Sequence, residues 1–193
     1  IAPILDEIEV FEFKGTLGDP IFHPDFLEWI SWCKSLGKSV HIHTNGQAGN
    51  NLWIRLCGLL DTSDSVTLGI DGMPHDFMQY RINANWKNIA ASASALAGKV
   101  RLRWQFIVFS YNQHEIESAR SLSQDMGFDE FFVFHSNRWL QGDDWLRPTE
   151  ARPRSTEAAV KLSPTCLRSP MHVVSADGFY FPCPMYIDPR GRY

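Results

Sequence analysis

The run HPDFLEWISWCKSLGKSVHIHTNG, residues 23–46, decides the fold. Pro24 suits the first turn of a helix, where its missing N–H costs nothing. Phe26, Ile30 and Cys33 then recur at helical spacing, and Gly37 closes the pattern as a left-handed cap would. Directly afterwards the period changes to two. Val40 and Ile42 alternate with Ser39, His41 and His43, the signature of a strand with one apolar face. Asn45-Gly46 ends it. Further β-rich runs stand at 8–13, 65–70, 101–109 and 130–134, and further helical patterns at 24–36, 50–60, 85–97 and 113–126. Gly98 and Gly127 repeat the role of Gly37. Strand and helix alternating at this spacing predict right-handed crossovers and a parallel sheet, hence an α/β fold.

The chain has 193 residues and a net charge of −4, with 44% apolar and 21% charged side chains. That is globular composition, enough for one core of ordinary size. There is no basic excess to draw in nucleic acid, and no apolar run reaches membrane-spanning length. Residues 1–137 hold 10 basic and 16 acidic side chains, and residues 138–193 hold 8 and 6. Seven of the 11 prolines lie from Pro148 onward. The expected division is a regular body over 1–137 and a loop-rich extension over 138–193. Four cysteines do not make a secreted disulfide framework. Cys33 and Cys57 fall on apolar helix faces and read as core.

Three successive strands end in glycine-bearing loops: Gly15 and Gly18, then Gly46 and Gly49, then Gly69 and Gly72. All lie at the carboxyl edge of the sheet, where α/β folds bind ligands. Alternation also divides the strands into two faces. Val40, Ile42, Val66, Leu68, Ile70, Leu102, Trp104 and Phe106 should meet the helices. His41, His43, Thr67, Gly69, Asp71, Arg101, Arg103 and Gln105 share the other face. Such a polar face is either solvated or folded around a polar cavity; the collection of His, Arg and Asp favours the cavity.

The order of these segments resembles the radical S-adenosylmethionine superfamily. The resemblance rests on the Gly18-Asp19-Pro20 turn, residues 23–46, "SVTLGIDG" at 65–72 with Tyr80-Arg81, and residues 106–134. It covers residues 8 to about 137. It implies strands two to six of a partial (β/α)6-type barrel. Cys166 and Cys183, spaced Cys-x(11)-Gly-x(4)-Cys around Gly178, resemble the start of a SPASM or twitch-type auxiliary-cluster extension. There "MHVVSADGFYFPC", residues 171–183, would form a β-hairpin. The family's Cys-x3-Cys-x2-Cys loop, which holds the radical-generating [4Fe–4S] cluster, is absent. The chain opens on Ile1, and Ile1–Glu7 reads as the end of a first helix. The expectation is therefore a piece truncated before or within the first βα unit, or a descendant without the radical cluster.

The resemblance implies roles residue by residue. Gly18, Asp19 and Pro20 match the turn that holds the methionine amino group, with Asp19 where the family usually carries Glu. Gly69 and Asp71 match the strand that meets the ribose. Arg81 matches an arginine that can pair with the methionine carboxylate. Asn45 and Asn112 would complete the cofactor site. His41, His43 and Gln105 would face the substrate, a polar small molecule or a peptide. Cys166 and Cys183 would ligate an auxiliary cluster. The activity implied is reductive cleavage of S-adenosylmethionine to a 5′-deoxyadenosyl radical that abstracts hydrogen, served by an electron donor in the cytoplasm.

Two other classes stay open. One is a metal-dependent barrel hydrolase, in which His41-x-His43 sets two imidazoles on one strand face and His23, Asp71, His75, His114 or His135 adds ligands. The other is a non-catalytic barrel remnant that binds S-adenosylmethionine or a partner, with an open strand edge at 8–13 and Trp139 and Trp145 to cover it.

Overall fold

The computed structural model describes residues 5–15, 18–136, 142, 144–149, 172–175 and 179–181. The chain divides into two units, Ile1–Arg152 and Pro153–Tyr193. The first holds a five-stranded sheet of β1 (Val10–Phe13), β2 (Ser39–Thr44), β3 (Ser65–Gly69), β4 (Arg101–Ile107) and β5 (Glu130–Phe134). Strand order in the sheet equals order in the chain, and every neighbouring pair is parallel. Helices α1 (Phe26–Ser35), α2 (Asn50–Cys57), α3 (Trp86–Leu96) and α4 (Ile116–Asp125) make the four crossovers. Right-handed crossovers between adjacent parallel strands place all four helices on one face of the sheet.

The two-residue alternation sorts the strands as the sequence predicts. Val40, Ile42, Val66, Leu68, Leu102, Trp104 and Phe106 are wholly buried. Phe26, Ile30 and Cys33 of α1, Trp53 and Leu56 of α2, and Ile89, Ala93 and Leu96 of α3 complete this core. Both buried indoles have their N–H satisfied: Trp53 donates to the Ala48 carbonyl at 3.0 Å and Trp104 to the Ile70 carbonyl at 2.8 Å. Gly37, Gly98 and Gly127 take left-handed φ of 69–79° after α1, α3 and α4, as helix-ending glycines do.

Elements are a little shorter than the sequence patterns. β4 ends at Ile107, two residues early, because the Asn112 side chain takes the Phe109 N–H and turns the chain. Residues 144–149 stay with the first unit through Gln113, whose amide bonds to the Thr149 hydroxyl and N–H. In the second unit, β6 (Val173–Val174) pairs antiparallel with β7 (Tyr180–Phe181). Asp177 and Gly178, expected to turn the hairpin, and both Cys166 and Cys183 lie outside the described residues.

At the amino edge one buried carboxylate ties the layers together. Asp64 takes both an N–H of β2, at Val40, and that of Asp61, and receives Lys34 of α1 at 2.8 and 3.0 Å. Its side chain is fully buried. Removing one partner of a buried ion pair strands the other, at a cost of about 3–5 kcal/mol. Asp64→Ala should lose that much in urea unfolding. Asp61→Ala, which meets the same lysine from solvent, should leave stability nearly unchanged.

Candidate functional site

The polar face is built in rows across the strands. Register pairs Glu12 with His41, His41 with Ser65, and Ser65 with Arg101. The next row runs His43, Thr67, Arg103, Glu130, and the next Gly69, Gln105, Phe132. The structure thus brings His41, His43 and Gln105 onto one surface, each half-buried. Charges on it are paired between strands. His43 Nε2 lies 3.0 Å from Glu12 Oε1, which also meets Lys14. Glu130 meets Arg101 at 2.8 Å and Arg103 at 3.1 Å. The Arg103 Nε–H is buried and has no aligned acceptor, so that second contact is ionic rather than a directed hydrogen bond. Burial, with Arg103 beside it, pushes the His41 imidazole below its ordinary pKa.

The carboxyl edge is braced by three residues that the sequence marks. Asp19 follows β1 and caps the 3-10 turn Pro20–Phe22 by accepting from the Ile21 N–H. Its other oxygen accepts the Thr44 hydroxyl at 2.8 Å and the Asn45 N–H at 2.7 Å. The loop after β1 is thereby pinned to the end of β2. Three of the carboxylate's four or so lone-pair directions are spent. Asn45 turns its side-chain oxygen to the Gln47 N–H, so it shapes its own loop. Gly18 has open space where a Cβ would stand, leaving its backbone accessible.

Asp71 is the centre of the edge. It follows β3 and has no exposed surface. One oxygen accepts from Arg81 Nε at 2.9 Å and stands 2.8 Å from Nη2 in an ion pair, and the other accepts the Ile107 N–H at the end of β4. Burial raises its pKa, and the Arg81 charge pulls the other way. Its carbonyl receives the Tyr111 hydroxyl and the Asn112 amide. Asn112 is itself fully buried, and its amide is spent on Asp71, Ile107 and Phe109. Asp71 and Asn112 therefore shape the rim, and Arg81 is what they present. A quarter of the Arg81 side chain is exposed. Nη1 has no partner among the described residues. A Cβ on Gly69 would lie 2.8 Å from Arg81 Nη2, so the bare backbone there clears the guanidinium's path.

Thr44, Tyr111 and Glu12 belong to this framework and are not marked by any motif. Only register and long-range bonds reveal them.

Cysteine chemistry is absent from the described part of the site. Burial pushes the Cys33 thiol up to about 11 and raises Cys57, whose Sγ–H donates to the Ala95 carbonyl. Thiols so protonated and so placed are packing residues, not cluster ligands. His41 and His43 belong to no group of three close metal-ligating atoms among the described residues, and His43 is paired with Glu12.

No protein-family model matches the sequence, and no curated protein matches it. Among solved structures, the chain is similar to SuiB of Streptococcus suis, with a TM-score of 0.61 at 14% identity, over 76% of this chain and 34% of that one. It is similar also to SuiB bound to S-adenosylmethionine, with a TM-score of 0.60 at 14% identity and the same coverage. At this identity the likeness shows a shared fold. The chain spans about a third of the length of the SuiB structures it matches.

The Glu12–His43 contact gives the polar face an acid limit. The imidazole hydrogen bond, opposed by burial and aided by Lys14, holds Glu12 down at about 2 against its ordinary 4.5. A depressed carboxyl stabilises the fold above its unfolded value and loses that contribution as pH falls through the folded one. The thermal stability difference between wild type and Glu12→Gln should be full above about pH 5 and fade toward pH 2. A difference that does not change over that interval contradicts the pairing.

Proposed function

We propose that the carboxyl edge binds S-adenosylmethionine and that the chain is the body of a radical S-adenosylmethionine enzyme. The observation that carries this is the Arg81 fork, held by Asp71 beside the bare Gly69 backbone. Support comes from the order of the motifs and from a fold neighbour, SuiB, solved with S-adenosylmethionine bound.

Arg81 spends its Nε–H on Asp71, with Nη2 in ionic contact with the same oxygen. The far end of its guanidinium keeps the donors for a second, bidentate carboxylate, here that of the methionine moiety. Asp71 and Asn112 act through it, by fixing the loop. The open backbone at Gly18, beside Asp19 and Pro20, would receive the amino group, and Asn45 would line the same edge. His41, His43 and Gln105 would meet a polar substrate or a peptide. With a reduced cluster beside it, bound S-adenosylmethionine would supply a radical for hydrogen abstraction. The described residues contain no cysteine set that fits such a cluster. The enzyme so proposed would also need a radical cluster, an auxiliary cluster through Cys166 and Cys183, an electron donor and a cytoplasmic setting. The hydrolase alternative is weakened because, among the described residues, His41 and His43 fall in no cluster of three close ligand atoms.

Calorimetric titration of the chain with S-adenosylmethionine tests the binding step. Saturable binding is expected, and Arg81→Lys, which keeps the charge but loses the fork, should weaken it about tenfold. Gly69→Ala should weaken it too, by crowding Nη2. No saturable binding at millimolar ligand overturns the proposal. Binding by a chain for which no reductive cleavage follows, even with a cluster-bearing partner supplied, would favour the non-catalytic remnant.

A further inference from the structure

A second constellation lies one loop away and takes no part in that proposal. His75 and Asp76 stand in the loop after β3, and Glu115 immediately precedes α4. One ligand atom from each lies within 4.8 Å of the other two. His75 Nε2 and Glu115 Oε1 are 3.0 Å apart. The acids are not solvated surface groups. Asp76 is 8% exposed, and the Glu115 side chain is 12% exposed. Asp76 is also positioned: one oxygen accepts the Met73 N–H at 2.7 Å, and a Cβ on Gly72 would lie 2.6 Å from it. Glu115 is held from both sides, its N–H donating to the Asn112 carbonyl and its own carbonyl accepting from Ala119.

The independent sign of a ligand is Glu115 Oε2. This oxygen is buried and meets no N–H or hydroxyl donor; burial and the neighbouring Asp76 carboxyl, with which Glu115 can share only a proton, raise the Glu115 pKa. An unsatisfied buried carboxylate oxygen is costly, and here it belongs to an acid placed against a second, more deeply buried one. A cation satisfies both at once, and an imidazole opposite them completes a donor set.

We infer that His75, Asp76 and Glu115 form a binding site for one divalent transition-metal ion. Ligands about 2.0–2.2 Å from an ion stand roughly 3–3.5 Å apart, so the His75–Glu115 spacing already fits, and with no pair beyond 4.8 Å a shift of about 1 Å at most completes the set. Two carboxylates match the charge of a divalent ion. The imidazole favours zinc over magnesium and calcium, which prefer oxygen ligands, and the two carboxylates also admit manganese. His75 is 69% exposed on its side chain, so it can swing onto an arriving ion. Asn112 couples the site to the Asp71 hub, since it bonds both Glu115 and Asp71. The inference stands whether or not the chain binds S-adenosylmethionine.

The full chain is titrated with Zn²⁺ alone and with Mn²⁺ alone, the latter followed by its electron paramagnetic resonance. One saturable site is expected, with a rise in melting temperature. Cys166→Ser with Cys183→Ser, and His41→Ala with His43→Ala, should retain it. His75→Ala and Glu115→Gln should each weaken it tenfold or more and lose the thermal shift. His75 is exposed, so its variant keeps the test valid if Glu115→Gln fails to fold. Absence of saturable binding overturns the assignment. So does affinity unchanged in the folded His75→Ala chain, or a metal-free Glu115→Gln chain that melts higher while wild type binds nothing, the mark of a proton shared between the two acids.

Discussion

A carboxylate with no access to water must be met by donors fixed in place, and Asp71 is that carboxylate. Its donors come from two directions: the backbone at the end of β4 and the guanidinium of Arg81. Its own carbonyl is held by the loop that follows β4. Leaving any of these unpaired would cost several kcal/mol in so buried a place. The ends of β3 and β4, the Arg81 segment and the Tyr111-Asn112 turn are therefore set by one another. The rim owes its shape to the chain itself, and a ligand bound there would find it already ordered.

The two faces of the sheet solve different problems. One is dry and packed by aliphatic and aromatic side chains against four helices. The other carries charges that answer one another across neighbouring strands: Glu12 with His43, and Glu130 with Arg101 and Arg103. Cross-strand pairing of this kind keeps the face polar without giving it one strong sign. A molecule lying on it would meet local donors and acceptors rather than a broad field.

Much of this was legible in the sequence, because it depends on local period. The change from helical to alternating spacing between Cys33 and Val40 gives α1 and β2, and the second strand and the fifth keep their predicted limits. Asp19, Gly69, Asp71 and Arg81 stand at strand ends, where their placement follows from the alternation alone. What stayed hidden depends on strand order and register. Glu12 reaches His43 only because β1 lies beside β2, and Glu115 reaches His75 across 40 residues of chain. The burial of Asp71 was hidden too. A polar residue on the polar face reads as facing solvent or ligand, and the covering by Arg81 and Ile107 is a tertiary event.

The identity between sheet order and chain order has a kinetic side. Each strand after β1 docks on the strand that immediately precedes it, through a crossover containing one helix. None must be held open for a segment made later. Sequence separations between partners stay short and uniform, which keeps loop-closure entropy small at each addition. The sheet can grow vectorially during synthesis, one βα unit at a time, always with a single advancing edge.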